Sequence, residues 1–352
     1  MVRKVGTSRV VREIGRGGMG VVYEAFQEGL DRPVAVKALD VKLARSRELL
    51  ERFRREGRAY AQLRHQAIVA VHDLVEKEDT LYLVTDFVDG ADLSRVLAKG
   101  GTIPPDCVAV VGARVAEALD YVHFNKLLHR DVKPANVMLS RDGEVKLMDF
   151  GIAKDQTAAD LTKVGMLVGS PSYLAPEVLN GDVADPRADV WALGVTLYEL
   201  ITGEKPFRGN DADELFGAIR KGTFRRVRGL APECPRRLAR AVERCLERRP
   251  RTRWRSAGAL ARELHACAAK VLRGMHPQAR LVALMANRGF ADEKDALTRI
   301  DAASLLATRA VDEAGSDGQT RPFVLRRRRR FSWVLATALA LAAGATAWIV
   351  HP

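Results

Sequence analysis

Between Arg9 and Leu39 short runs rich in β-branched residues alternate with turns: Arg9 to Ile14, Val21 to Phe26, and Pro33 to Leu39 after a turn at 29–32. Runs of this kind bounded by turn residues predict a strand meander. A charged helical stretch follows from about Ser46 to Arg64, then two more strand-like runs, Ile68 to Val75 and Leu81 to Val88, flank a polar turn at 76–79. Five strands in an antiparallel sheet and one helix make a small α+β lobe. After Gly90 the apolar spacing becomes helical, with the longest periodic stretches at 105–124 and 187–201. The second carries its own punctuation: Asp185 to cap, Pro186 for the first helical position, and Gly203 followed by Pro206 to end it. Helices near 211–220, 235–246 and 256–272 complete a larger, mainly helical lobe. Residues 273–325 lose clear patterning apart from a weak helical stretch around Leu297, Ile300 and Leu305.

The pattern changes once more near the end. From Phe331 to Val350 twenty residues carry no charge, enough for a helix to cross about 30 Å of hydrocarbon. Trp333 and Trp348 sit near its two ends, and five arginines, Arg326 to Arg330, come immediately before it. Such arginines stay on the cytoplasmic side, and so does everything N-terminal to them. The expectation is a single C-terminal transmembrane helix at 331–350 in the cell (inner) membrane. The alternative, an Ala-rich core helix, is hard to pack behind an unbroken arginine run. No apolar stretch follows Met1, which argues against a cleaved secretory signal.

Charge refines this picture. The chain of 352 residues has a formal net charge of +13, concentrated in two places. Residues 220–255 hold 14 Lys or Arg against three Glu, the five arginines of the run add to them, and the remainder of the chain is slightly acidic. Such patches suit an anionic membrane surface, an acidic protein or nucleic acid, or form a solvated arginine-rich face. Nucleic acid ranks lowest because interleaved aromatics are missing. Cys107, Cys234, Cys245 and Cys267 are scattered with no CxxC pair, which predicts reduced thiols rather than a metal or redox site.

Candidate chemistry lies in short motifs in a fixed order: GRGGMG at 15–20, VAVK at 34–37, HRDVKPAN at 129–136, DFG at 149–151 and APE at 175–177. Gly15, Gly17 and Gly20 lie between two strand runs, so they build a hairpin whose bare backbone can approach phosphates. A dinucleotide-binding loop would lead into a helix, whereas Val21, Val22 and Tyr23 continue as strand. Lys37 lies on the strand face opposite to Val36 and Ala38. Glu56, three residues after Phe53 and four before Tyr60, shares their inward-facing stripe. A carboxylate on that stripe needs a cation, and Lys37 is the natural partner; Glu48 and Glu51 are the weaker alternatives. In HRDVKPAN, Asp131 suits a general base, Lys133 a charge facing a moving phosphoryl group, and Asn136 an oxygen ligand for Mg²⁺. Asp149 offers a second hard oxygen ligand for Mg²⁺.

With these motifs in place, residues from about 9 to 266 resemble the Hanks-type, eukaryotic-like serine/threonine protein kinases, and GRGGMGVVYEA is most similar to the bacterial members. The arginine bias, 43 of 57 basic residues, agrees with a bacterial source. The resemblance implies a two-lobe fold, an N-lobe at 9–88 and a C-lobe at 89–266; the residue pattern beyond it adds a cytoplasmic juxtamembrane linker at 267–330 and the span at 331–350. It implies transfer of the γ-phosphoryl of Mg-ATP to Ser or Thr hydroxyls of proteins, with autophosphorylation of the activation segment. The implied ATP contacts are Ile14, Gly15, Gly17, Gly18, Gly20, Lys37 and Glu56, the hinge at Asp86 and Val88, Thr85 as gatekeeper, and Val22, Ala35 and Leu139 around the adenine ring.

The regulatory residues also follow from the resemblance. Arg130 would receive a phosphate carried by Thr162, with Thr157 as the alternative acceptor, and Ser170 would help to set the substrate pocket. Glu177 would pair with Arg253, and Asp189 would anchor the catalytic loop. Relatives often carry two threonines two residues apart, but here Thr162 is followed by Val164, which argues against the dual-site form of control and not against catalysis. Confinement to a membrane would favour self-association and phosphorylation in trans, and the basic patch could lie against anionic lipid. The rival reading is a scaffold that binds nucleotide or partners without transfer, although every group needed for transfer is present.

Overall fold

The computed structural model describes residues 3–17, 20–39, 47–77, 80–150 and 171–292, without the side chains of residues 47–50, 52, 53 and 56. The N-terminal region contains β1 (Lys4–Val5), β2 (Ser8–Gly17), β3 (Gly20–Gln27), β4 (Arg32–Leu39), α1 (Arg47–Tyr60), β5 (Val71–Lys77) and β6 (Thr80–Asp86). The strands form one antiparallel sheet in the order β1-β2-β3-β4-β6-β5. The short β1 adds a strand to the expected five.

Alternation gives this sheet its two uses. Val34, Val36, Ala25, Val84 and Tyr82 point to one face and form a small core with Val5. The other face carries the cross-strand row Val22–Lys37–Leu83, with Ala35 opposite Thr85 beside it. A strand with β-branched residues on one side and Ala35 and Lys37 on the other therefore builds the core and presents an ammonium from the same eight residues.

The second lobe begins with β7 (Gly90–Asp92), α2 (Leu93–Ala98), α3 (Pro105–Phe124), β8 (Val137–Ser140) and β9 (Val145–Leu147), then continues with α4 (Pro176–Leu179), α5 (Pro186–Thr202), α6 (Ala212–Lys221), α7 (Val227–Leu230), α8 (Arg236–Cys245), α9 (Ala257–Leu272) and α10 (Pro277–Asn287). From Asp189 to Ile201 every residue of α5 except Glu199 is buried, so this helix is the axis of the lobe and is apolar nearly all round. Its ends follow the expected punctuation. The Asp185 carboxylate accepts a bond from the Arg187 amide at 2.6 Å, Pro186 opens the first turn, and Gly203 ends the helix at φ +75°, a left-handed conformation that a Cβ disfavours.

Two boundaries differ from expectation. Ile68 starts no strand; it makes an isolated bridge to Leu147, and the Val69 amide donates to the Leu147 carbonyl at 3.0 Å, tying the segment after α1 to the C-lobe. The expected domain end at 266 falls inside α9, and α10 lies in the stretch read as linker. All four cysteines are buried and free, and burial pushes Cys107, Cys234 and Cys245 up to about 12, so they stay protonated and inert. Among the described residues no helix is long and apolar enough to cross a membrane; the expected span at 331–350 lies outside them.

Arg253 and Glu177 form a bidentate pair at 2.6 and 2.7 Å, with the arginine side chain wholly buried over the Trp191 ring. Its remaining donors reach the carbonyls of Arg187, Arg248 and Glu247. Arg253→Ala leaves these groups without a partner, and thermal or urea unfolding should register a loss of about 3 to 5 kcal/mol.

Candidate active site

The loop from His129 to Asn136 is positioned from beneath by α5. One carboxylate oxygen of Asp189 accepts from the Arg130 amide at 2.8 Å, and the other accepts from the His129 amide at 2.9 Å and from His123 Nε2 at 2.8 Å. Burial works against the charge on Asp189, but the His123 hydrogen bond and the nearby positive potential hold its carboxyl below the usual range. The anion holds Arg130 in the left-handed region at φ 65°, a conformation that costs a side-chain-bearing residue roughly 1 kcal/mol.

His129 is completely buried, and burial pushes its pKa down, so the ring is neutral. Nε2 donates to the Met148 carbonyl at 3.1 Å, and Nδ1 accepts from the Asp131 amide at 3.3 Å, which defines the tautomer. The Met148 amide donates to the Asn136 carbonyl at 2.9 Å. Met148 is thus gripped on both sides by the loop, and Asp149 follows at once. At the centre, Asp131 Oδ2 accepts from Lys133 Nζ at 3.0 Å and from Asn136 Nδ2 at 2.8 Å. With its nitrogen so engaged, Asn136 keeps Oδ1 as an oxygen donor.

The N-terminal sheet meets this cluster through Lys37, whose Nζ donates to Asp149 Oδ1 at 2.8 Å across 112 residues of sequence. Asp149 is also left-handed, at φ 54°, the kind of backbone strain that gathers at functional sites. Phe150 stacks on Tyr60 at 4.1 Å and lies 4.7 Å from the His129 ring. The Tyr60 hydroxyl donates to the Leu128 carbonyl at 3.1 Å, so the end of α1 rests on the loop's entry.

Between the sheet and the loop is a mostly apolar cleft, lined by Ile14, Val22, Ala35, Lys37, Thr85, Asp86 and Val88 from one side and by Met138, Met148, Asp149 and Phe150 from the other. At its back, the Asp86 carboxylate accepts from His72 Nε2 at 2.7 Å and from the Ala70 amide at 3.0 Å, clamping the end of β6 to the start of β5. An apolar slot with the end of β6 at its back and an ammonium and a carboxylate at its mouth suits a nucleobase carrying phosphates.

The protein kinase domain profile matches residues 8–264. The chain belongs to the protein kinase family. It is 37% identical over 259 residues to the serine/threonine-protein kinase PknL of Mycobacterium tuberculosis, covering 74% of this chain and 65% of that protein. To PknA of the same organism it is 38% identical over 261 residues, covering 73% and 60%. The chain therefore spans less than two thirds of the length of either relative. The crystal structure of the M. tuberculosis PknI kinase domain matches with a TM-score of 0.62 at 32% identity, covering 75% of this chain and 97% of that domain. PknL and PknA are bacterial serine/threonine-protein kinases.

Among the described residues, Leu139 does not line the cleft as expected. Leu139, expected beside the adenine ring, is fully buried, paired with Ala91 and Val145, while Met138 lines the cleft. In a strand only four residues long a shift of one position exchanges the faces, and the expectation for Leu139 rested on the resemblance rather than on the strand's own phase. Gly15 pairs with Val22 and Gly17 with Gly20 in the β2–β3 hairpin, whose tip, with Gly18, lies outside the described residues. Glu56 falls within α1, but its side chain is not described, so its expected pairing with Lys37 lies outside the description. Thr157, Thr162 and Ser170 lie outside it too. Sequence reasoning missed Phe87, Met148 and the His72–Asp86 clamp; the clamp's only advance signal was an ionisable residue inside a strand run.

The stability held by the Asp189 anion is present above the ordinary carboxylate pKa and is lost as pH falls through the lowered folded value. Asp189→Asn should therefore cost about 3 kcal/mol near neutral pH. Melting curves of variant and wild type should converge as the pH is lowered.

Proposed function

We propose that this serine/threonine protein kinase transfers the γ-phosphoryl of ATP to Ser and Thr hydroxyls of proteins while tethered to the cell membrane by residues 331–350. The observation that carries the reading is the Asp131–Lys133–Asn136 cluster, joined through Met148 to the Lys37–Asp149 pair at the mouth of an apolar cleft. In this reading Asp131 takes the hydroxyl proton, Lys133 faces the charge of the group in flight, and Lys37 steadies the inner phosphates. Thr85, Asp86 and Val88 lie where adenine would rest.

The donor set fits Mg²⁺. Asn136 Oδ1 and the Asp149 carboxylate are hard oxygen ligands that would hold the ion. Among the described residues no cluster of three or more His, Cys, Asp or Glu side chains forms a ready-made cage. Two protein ligands are what an ion completed by phosphates and water requires. When bound, Mg²⁺ neutralises phosphate charge.

Regulation and location belong to the same proposal. Thr162, or Thr157, would take the phosphate in autophosphorylation and Arg130 would receive it, with Ser170 shaping the acceptor pocket. Anionic lipid is the favoured partner for the basic face: Arg236, Arg240 and Arg244 recur every fourth residue on the exposed side of α8, while Leu238, Val242 and Cys245 are buried on the other. A tether would concentrate kinase domains and favour transfer in trans. No nucleic-acid partner is proposed.

Phosphate incorporation from labelled ATP tests the chemistry. Asp131→Asn should lower kcat about 10³-fold with nucleotide binding retained, and phosphate in self-modified wild type should map to 155–170. Equal incorporation by variant and wild type would falsify the mechanism. The tether is tested separately: deletion of residues 326–352 should move the protein from the membrane pellet to the supernatant, and a deleted form that still pellets would refute it.

A further inference from the structure

The described structure continues 28 residues past the end of the family match, to Asp292, and those residues are built into the C-lobe. Leu281, Val282, Leu284 and Met285 of α10 are exposed by 3% or less. Arg280 Nε donates to Asp106 at the start of α3 at 2.5 Å, and Gln278 Nε2 donates to the Asp142 carbonyl in the β8–β9 turn at 2.7 Å. Gly143, at φ +78°, approaches α10 so closely that a Cβ there would lie 2.6 Å from the Gln278 carbonyl oxygen. The first half of α10 is thus anchored to α3 and the β8–β9 turn.

Its far end reaches α2, which has two working sides. Ser94, Leu97, Ala98 and, just beyond the helix, Gly101 line a groove whose other side includes Lys133, Pro134 and Ala135 of the catalytic loop. On the opposite flank Arg95 and Lys99, one helical turn apart, lie over the Phe290 ring at 5.4 and 4.4 Å. Arg288 Nη2 donates to the Thr102 carbonyl at 2.6 Å. A six-residue helix has no stability of its own, so α2 takes its position from what packs on it. No residue of α10 lines the nucleotide cleft.

We propose that residues 275–290 form a brace that sets the α2 wall of the acceptor groove, making Arg288 and Phe290 positioning residues for the protein substrate. The inference rests on the kinase reading, because the groove beside Lys133 is where an acceptor chain must lie to bring its hydroxyl to Asp131. The brace acts on one side of the reaction alone. It orders the wall against the incoming polypeptide and leaves the nucleotide's contacts untouched.

The test uses the full chain with Phe290→Ala and Phe290→Leu; the second keeps apolar contact and removes the cation–π partner. In steady-state kinetics the KM for a protein acceptor should rise about five- to tenfold in Phe290→Ala, the amount two such contacts are worth. The KM for ATP should stay within about twofold of wild type. Amide hydrogen exchange should quicken over residues 93–102 and stay unchanged over 34–39. Phe290→Leu should show the same pattern to a smaller degree, which keeps the test decisive if the alanine variant fails to fold. Unchanged exchange over 93–102 in the folded variants overturns the brace, and this readout needs no phosphoryl transfer, so it is separate from failure of the kinase reading. A parallel change in both KM values together with a lowered Tm marks general loosening and also overturns it.

Discussion

The carboxylate of Asp189 carries a negative charge in a place where water cannot reach it, and the two consecutive amides of His129 and Arg130, together with His123 Nε2, satisfy it. An ion so placed is tolerable only when fully hydrogen-bonded, and here that requirement dictates the shape of the loop above. Arg130 takes a left-handed conformation because its N–H must point down. Asp131 is then delivered upward beside Lys133 and Asn136. The long apolar helix that gives the C-lobe its axis also carries the one charge that sets the active loop.

The connection between the lobes follows the same economy of contacts. Lys37 reaches down from the sheet to Asp149, Tyr60 reaches from the end of α1 to the loop's entry, and residues 67–69 hydrogen-bond to Leu147. Each contact ends on the loop or on the strand that runs into Asp149. A change in the tilt of the small lobe is therefore transmitted to Asp149 and Phe150.

Much of this was legible in the sequence because spacing and chemistry coincided. Val34, Val36 and Lys37 declare two faces of one strand, and Asp185, Pro186 and Gly203 bound the central helix as their conformational preferences require. The pairing of Glu177 with Arg253 was expected from the resemblance and is present in full geometry. Harder cases were those in which geometry, not residue type, decides. Met138 and Leu139 are both apolar, and only the register of a four-residue strand says which one meets the cleft. The helix α10 is short, and although Pro277 and the apolar positions 281, 282, 284 and 285 mark it, its stability comes from contacts with α3 and the β8–β9 turn far away in sequence. The Lys37–Asp149 pair and the His72–Asp86 clamp depend on tertiary approach that no local pattern encodes.

The placement of α10 bears on how force could travel through the molecule. The chain leaves α10 through Phe290, so in the proposed tethered form a pull from the C-terminal side would reach the ring lying against Arg95 and Lys99 before any catalytic group. Under the proposed tether, load on this joint would be converted into a displacement of the edge of the groove beside Lys133.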